Sequence, residues 1–132
     1  MLLAGETLAD SQRALRVLET SHPPVYYLPP EDVRTDLLER ARGSSFCEWK
    51  GRAEYWDATL GGQRHARVAW SYPEPVPAFA ELRDHLAFYL PALDAGFVDG
   101  EEARPQPGGF YGGWVTSRVA GPFKGEPGTE GW

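Results

Sequence analysis

Cysteine is almost absent from this sequence, which contains Cys47 and no other. A single thiol cannot form a disulfide within the chain, so the fold is not a disulfide scaffold of the secreted type. The residues that could bind zinc are Cys47, His22, His65 and His85, and none of them are paired at C-x-x-C or H-x-x-x-H spacing. We therefore expect no metal site and no bound cofactor.

Clustered positive charge is also missing. No two Lys or Arg residues are adjacent, and 13 basic residues face 19 acidic ones, which gives a net charge of −6. Non-specific affinity for nucleic acid comes from clustered cations that release counterions, and anionic membrane surfaces attract the same kind of cluster. The charge balance therefore argues against nucleic acid and membrane surfaces as partners.

Long apolar runs are a third absence. No stretch of about 18 apolar residues exists, so no membrane-spanning helix is expected. Residues 1–6 lack both the basic region and the apolar run of a signal peptide. We expect a cytoplasmic protein.

Glycine and proline, in contrast, are abundant, with 15 and 12 copies among 132 residues. Helices disfavour both residues, whereas tight turns use them, so this composition favours short strands. The sequence predicts a mostly β single domain: a small barrel or rolled antiparallel sheet with one or two short helices.

The clearest hairpin is centred on Gly61-Gly62, because paired glycines supply the positive φ values of tight hairpin turns. Runs of residues with high β-propensity, 52–60 and 63–70, flank that pair. A second pairing is expected between 15–19 and 25–28. Short helical turns are predicted at 29–33 and 78–83, a strand at 86–90, and a strand end and turn at 97–100.

Residues 105–132 differ in character from residues 1–104, since they contain eight Gly and four Pro with scattered aromatic residues. Such a segment cannot form a core of its own. We therefore divide the chain into a β-rich core domain, 1–104, and a C-terminal extension, 105–132. The aromatic side chains of the extension should dock on the core or on a partner.

Several blocks together resemble a known family. They are HPPVYYLP (22–29), FCEWKG (46–51), AWSYPEP (69–75) and AFY (87–89) before VDGE (98–101). In this order they resemble the domain of unknown function 427 family, over roughly residues 5–101. The motifs GFYGGW (109–114) and GPFKG (121–125) resemble an extension found in an actinobacterial-type subset. The resemblance implies a compact, mostly β cytoplasmic domain. The family also carries a nominal nucleotidyltransferase label, but this chain lacks the phosphate loop and spaced aspartates of such enzymes.

Cys47 and Lys50 form the strongest candidate for chemistry. A nearby ammonium favours the thiolate and makes it nucleophilic, although the adjacent Glu48 acts the other way. A lone cysteine can equally be a small buried apolar residue. We therefore name Cys47 and Lys50 as candidate catalytic residues and leave open whether any reaction occurs.

Aromatic residues are dense around the central hairpin. Most should be core, but adjacent strand residues face opposite ways, so Tyr55 and Trp56 cannot both point inward. Some of these rings could line a pocket for a flat or apolar ligand. The candidate ligand-binding residues are Trp49, Trp56, Trp70, Tyr72 and His22.

These observations lead to two hypotheses about function. The first is a small-molecule-binding domain, enzymatic or not, with an aromatic pocket near Cys47 and Lys50. The alternative is an interaction or structural protein whose extension, 105–132, makes homo-oligomer or partner contacts or covers the pocket.

Overall fold

A computed structural model of the chain describes residues 1–18, 23–47, 50–107 and 112–117, with the backbone alone for 44–47. The strands are β1 (Leu2–Leu3), β2 (Glu6–Thr7), β3 (Leu15–Val17), β4 (Val25–Tyr27), β5 (Leu38–Cys47), β6 (Gly51–Leu60), β7 (Gln63–Ser71), β8 (Leu86–Phe88), β9 (Phe97–Val98), β10 (Glu101–Glu102), β11 (Arg104–Pro105) and β12 (Trp114–Val115). Short 3₁₀ helices span Pro30–Asp32, Thr35–Leu37, Pro77–Leu82 and Leu90–Ala92. The prediction of a mostly β fold with short helices is confirmed.

The centre of the fold is an antiparallel four-stranded sheet in the order β5-β6-β7-β8. Gly61 and Gly62 connect β6 to β7, with φ values of +58° and +79°, and Leu60 pairs with Gln63 to close the turn. This confirms the predicted central hairpin. The remaining strands in the described ranges form two-stranded sheets, and the sheets do not close into a barrel.

A bulge distorts the central hairpin. Between the pairs Trp56–Ala69 and Ala58–His65, Asp57 of β6 faces several residues of β7, and Arg67 takes a positive φ of 49°. Asp57 holds this irregularity in place: its carboxylate accepts the Arg67 N–H at 2.8 Å and the Arg64 Nε–H at 2.7 Å. Bulges bend the strand that carries them, so the sheet curves at this point.

Both faces of the central sheet are apolar. Trp56, Ala69 and Phe88 are in register across β6, β7 and β8, and they pack in the larger hydrophobic cluster. Because side chains alternate along a strand, the neighbouring row points the opposite way. That row, which includes Tyr55 and Trp70, packs in a second cluster. The expectation that Tyr55 and Trp56 face opposite ways is confirmed.

The β3–β4 hairpin flanks the free edge of β8. Leu15 pairs with Tyr27 and Val17 with Val25, as the sequence predicted. Leu28 then continues the chain to β8, where Leu28 and Leu86 exchange two backbone hydrogen bonds of 2.8 Å. In the described ranges, no helix is both long and apolar enough to span a bilayer.

Part of the C-terminal extension packs on the core. β12 pairs with β11, and Trp114 lies in the larger hydrophobic cluster with 2% of its surface exposed. The indole Nε1–H donates to the Phe88 carbonyl at 3.1 Å, and the Trp114 N–H donates to the Pro24 carbonyl at 2.9 Å. Residues 108–111 and 118–132 of the extension lie outside the described residues.

Candidate functional site

Trp70 and Tyr72, two of the sequence-predicted ligand-binding residues, lie on one face of the sheet. Both contact Tyr27: the Trp70 and Tyr27 rings meet edge to face at 6.4 Å, and the Tyr72 ring is 6.3 Å from that of Tyr27. The Trp70 Nε1–H donates to the Tyr27 hydroxyl at 3.3 Å. These rings therefore form a packed aromatic group in the second cluster.

Trp56 lies on the opposite face from Trp70 and Tyr72. It packs against the larger cluster, and its Nε1–H donates to the Ser71 hydroxyl at 2.9 Å. The sheet separates the two groups, because residues 56 and 70 are offset by one position in the register. A pocket lined by Trp70 and Tyr72 on their own face would therefore not include Trp56.

Lys50 is buried, with 8% of its surface exposed, at the turn that leads into β6. Its carbonyl accepts the Val76 N–H at 2.8 Å. The next residue, Gly51, has a φ of +118°, and a Cβ there would lie 3.0 Å from the Glu74 carbonyl oxygen. The absence of a side chain at Gly51 therefore allows the backbone of the 74–76 loop to lie close to this position.

The other predicted site residues fall at gaps in the described chain. The backbone of Cys47 ends β5, where it pairs with Gly51, but its side chain lies outside the described residues. Trp49 and His22 lie outside them as well.

The histidines in the described ranges do not gather around one point. Nδ1 of His85 lies 3.0 Å from the Arg83 carbonyl, whereas Nε2 of His65 is buried without a hydrogen-bond partner. Across the described part of the chain, no three His, Cys, Asp or Glu residues are placed to hold a metal ion.

A cavity of about 550 Å³ opens elsewhere, between the N-terminal strands and the β3–β4 hairpin. Lys50, Trp56, Trp70 and Tyr72 do not line it. Its volume falls within the range of small-molecule sites, about 300–1,000 Å³. The lining comes from segments far apart in sequence: the ranges 1–2 and 9–12, strands β3, β4 and β9, and residues Trp114 and Thr116.

Aromatic and aliphatic side chains form much of this cavity. Tyr26 and Trp114 meet edge to face with ring centroids 6.1 Å apart; Trp114 is buried and Tyr26 is half-buried. At the rim, Leu2 is 37% exposed and Phe97 is 44% exposed. Among the described residues only one other large apolar side chain, Leu18, is comparably exposed. Exposed apolar surface thus collects at the cavity.

Asp32 anchors one edge of the cavity. Its carboxylate accepts hydrogen bonds from the Ser11 hydroxyl at 2.6 Å and from Arg13 at 2.8 and 3.2 Å. The hydrogen bonds from Arg13, and then that from Ser11, lower the pKa of Asp32 below its usual value. Since Ser11 lines the cavity, this carboxylate positions the 10–14 segment while remaining ionised at neutral pH.

A family model described as "Domain of unknown function (DUF427)" matches residues 1–99, three quarters of the chain. The chain belongs to the DUF427 family. No curated protein matches it. The DUF427 match includes every cavity-lining residue up to Asp99 and ends before Trp114 and Thr116.

Sequence patterns do not reveal this cavity. They indicate Tyr26 only as part of a strand, and Trp114 only as one aromatic residue in a glycine-rich segment. The cavity depends on contacts between residues about 90 positions apart, and neither spacing nor periodicity reports such contacts. The sequence signal for this contact is the motif GFYGGW, in which glycines precede Trp114, an aromatic residue large enough to favour burial.

Proposed function

We propose that this DUF427 chain is a small-molecule-binding domain and that the cavity at Tyr26 and Trp114 is its ligand site. One observation supports this proposal above all: exposed apolar side chains, Leu2 and Phe97, gather at the rim of a cavity backed by aromatic rings. Apolar side chains that are grouped on a surface indicate an interaction site, whereas scattered ones do not, and a cavity of this volume accommodates a small organic molecule.

The cavity favours a flat ligand without negative charge. The half-buried ring of Tyr26 offers a surface for stacking, and the Trp114 ring packs against it edge to face. Asp10 and Asp99 line the cavity together with two basic groups, the Arg16 guanidinium and the α-amino group of Met1, so the preference against an anionic ligand comes from the net charge of −6 on the whole chain. An anionic ligand would meet an unfavourable field, whereas a neutral or cationic ring would not.

Three ring compounds that differ mainly in charge test this proposal: benzamidine, benzamide and benzoate. Titration of the full chain with each, followed by amide chemical shifts in NMR, should show shifts at the cavity for the cationic and neutral compounds and weaker ones for benzoate. A Thr7→Trp variant places a bulky ring at the cavity, because Thr7 is an exposed lining residue. Thr59→Trp is the matched control, an exposed strand threonine that does not line the cavity.

We expect Thr7→Trp to abolish the shifts and Thr59→Trp to preserve them. Absence of any shift in the unmodified chain, or equal binding by both variants, would rule the cavity out as a site for such ligands. If the expected shifts are observed, a thermal-shift screen of metabolites narrows the ligand class. The screen uses the unmodified chain, Thr7→Trp and Thr59→Trp.

A second proposal concerns Cys47 and Lys50 as catalytic residues, with Trp49, Trp70, Tyr72 and His22 as nearby ligand-binding residues. Two observations support it: Lys50 is buried, and Cys47 pairs with Gly51 across the β5–β6 turn. Because the chain has one cysteine, alkylation by iodoacetamide reports on Cys47 alone. We expect rapid alkylation at neutral pH, slowed by Lys50→Met and retained by Lys50→Arg. A sluggish thiol, indifferent to both substitutions, would leave Cys47 a structural residue.

The alternative function, interaction through the extension 105–132, is a separate proposal. Residues 112–117 contact the core of the same chain, so any partner contact would fall mainly to 118–132. Truncation after Ser117 keeps Trp114 in place and removes only that segment. A change in molar mass, measured by size-exclusion chromatography with light scattering, would support this role, and an unchanged mass would refute a homo-oligomer made through residues 118–132.

A further inference from the structure

Two side chains of the cavity come from outside the segment that defines the family. The DUF427 match ends at residue 99, whereas Trp114 and Thr116 contribute to the lining. Both are buried, with exposed fractions of 2% and 5%. The family segment of this chain therefore forms most of the cavity, and the C-terminal segment 112–117 completes it.

Hydrogen bonds hold the segment 112–117 at both ends, to Gln106 of the extension at its start and to Glu101 of the core at its end. At its start, the Gly113 N–H donates to Oε1 of Gln106 at 3.2 Å, and the Gly113 carbonyl accepts the Gln106 N–H at 3.0 Å. At its end, the Ser117 backbone N–H and hydroxyl each donate to the Glu101 carboxylate at 2.7 Å. These contacts bracket Trp114 and Thr116, so the two lining side chains are held in one arrangement.

The packing around Gly113 leaves no room for a side chain at this position. A Cβ at this position would lie 2.4 Å from Cγ of Pro23 and 2.6 Å from Oε1 of Gln106. Pro24, which follows Pro23 in the chain, lines the cavity, and its carbonyl accepts the Trp114 N–H. The backbone of the segment therefore approaches the cavity wall closely enough for its side chains to set the shape of that wall.

We infer that Trp114 and Thr116 are specificity-determining residues of the cavity, an inference that rests on the small-molecule function proposed above. Trp114 limits the space behind Tyr26 and so selects the size of the ring that can be accepted. Thr116 places a hydroxyl-bearing side chain on the same wall and selects ligands that can form a hydrogen bond there. The remaining lining belongs to the DUF427 segment, so these two side chains are the contribution of the extension to the selectivity of the cavity.

Two pairs of probes separate these effects in the full chain. Benzamide and 2-naphthamide differ in ring size, and we expect Trp114→Phe to shift the ratio of their dissociation constants toward the larger ring. Benzamide carries amide N–H donors that acetophenone lacks. We therefore expect Thr116→Val, which removes the hydroxyl group, to reduce the preference for benzamide. Each ratio should change by at least about threefold, a modest part of what one pocket contact contributes to discrimination. Val115→Ile, in the same strand but not lining the cavity, should leave both ratios unchanged.

The outcomes distinguish the two proposals. If the unmodified chain binds none of the probes, the ligand site itself is refuted and the inference falls with it. If the chain binds benzamide and Thr7→Trp abolishes binding, but Trp114→Phe and Thr116→Val leave both ratios unchanged, the site stands and the inference is overturned. If Trp114→Phe fails to fold, the benzamide-to-acetophenone ratio of dissociation constants, compared between Thr116→Val and Val115→Ile, tests the inference without it.

Discussion

The indole of Trp114 fills the space that a side chain at Gly96 would need. A Cβ built on Gly96 would lie 2.5 Å from Cη2 and 2.7 Å from Cζ3 of Trp114. Gly96 belongs to the segment matched by the family model, and Trp114 lies beyond it. This contact therefore joins the β-rich core, 1–104, to the C-terminal extension, 105–132.

Gly96→Ala should destabilise the fold by about 1–3 kcal/mol, because the added methyl group overpacks the core against Trp114. Chemical denaturation of the variant and of the unmodified chain measures the difference in unfolding free energy. In a Trp114→Phe background the smaller ring leaves room, so the same substitution should cost less. Equal costs in both backgrounds would show that Gly96 and Trp114 are not coupled.

Trp114→Ala should lower the unfolding free energy by about 3–5 kcal/mol, the cost of removing a large buried aromatic side chain. It also removes the donor to the Phe88 carbonyl. Leu18→Ala is the control, because Leu18 is 62% exposed and should contribute little. If both variants unfold at the denaturant midpoint of the unmodified chain, the C-terminal segment contributes nothing to the core.

Asp57→Asn should lower the unfolding free energy at neutral pH by about 2 kcal/mol, since it removes the charge from a buried hydrogen-bonded group. Asp36→Asn is a matched control: Asp36 also pairs with an arginine, Arg34, but its side chain is 63% exposed against 5% for Asp57. Exposed pairs contribute about 0–1 kcal/mol, so this control should change stability little. Equal losses in the two variants would show that burial does not strengthen the Asp57 contacts.

The effect of Asp57 should depend on pH. Burial alone would raise the pKa of Asp57, but the Arg67 N–H and the Arg64 guanidinium outweigh it and hold the pKa below its ordinary value. A carboxyl whose pKa is lower in the folded state stabilises the fold fully above the unfolded value of about 3.9, and this stabilisation is lost as pH falls further. The gap in unfolding free energy between the unmodified chain and Asp57→Asn should therefore be wide at pH 7 and narrow at pH 3. A gap that is constant with pH would contradict this account.

Asp32→Asn should loosen the 10–14 segment at the cavity edge, because the amide keeps the shape of the carboxylate but loses its charge-assisted bonds to Arg13. We expect faster hydrogen exchange at the Arg13 amide, which donates to the Ser11 hydroxyl in the same network. Glu31→Gln is the control, since Glu31 is 68% exposed and its oxygen lies 3.9 Å from Arg13. The same loosening should appear in the unmodified chain as pH falls below the ordinary pKa of aspartate, and unchanged exchange in Asp32→Asn would refute the anchoring role.

Local sequence rules predicted the pieces that depend on near neighbours. The Gly61-Gly62 turn, the β3–β4 pairing and the short helical segments at Pro30–Asp32 and Pro77–Leu82 all follow from turn chemistry and proline placement. The same rules missed the bulge at Arg67, because an extra residue in one strand leaves no signature in local propensity. Its cause is an interaction across strands, the carboxylate of Asp57 accepting the Arg67 N–H.

The arrangement of residues in the candidate site is harder to predict from the sequence than the local strands and turns are. Alternation along β6 predicts that Tyr55 and Trp56 lie on opposite faces, but the density of aromatic residues around the hairpin does not tell which face of the sheet Trp56 shares with Trp70. The register shows that Trp70 pairs with Tyr55 and not with Trp56. The face on which a side chain lies depends on this register, and a one-residue offset reverses it.

The amino-acid sequence by itself determined the class of this protein: a β domain of the DUF427 family, rich in tight turns and with a net charge of −6. Tertiary structure alone decided which aromatic rings meet and where a cavity opens. The physical reason is distance along the chain. Tyr26 and Trp114 are 88 positions apart and meet edge to face, because Gly96 leaves room for the indole and the Pro24 carbonyl accepts the Trp114 N–H.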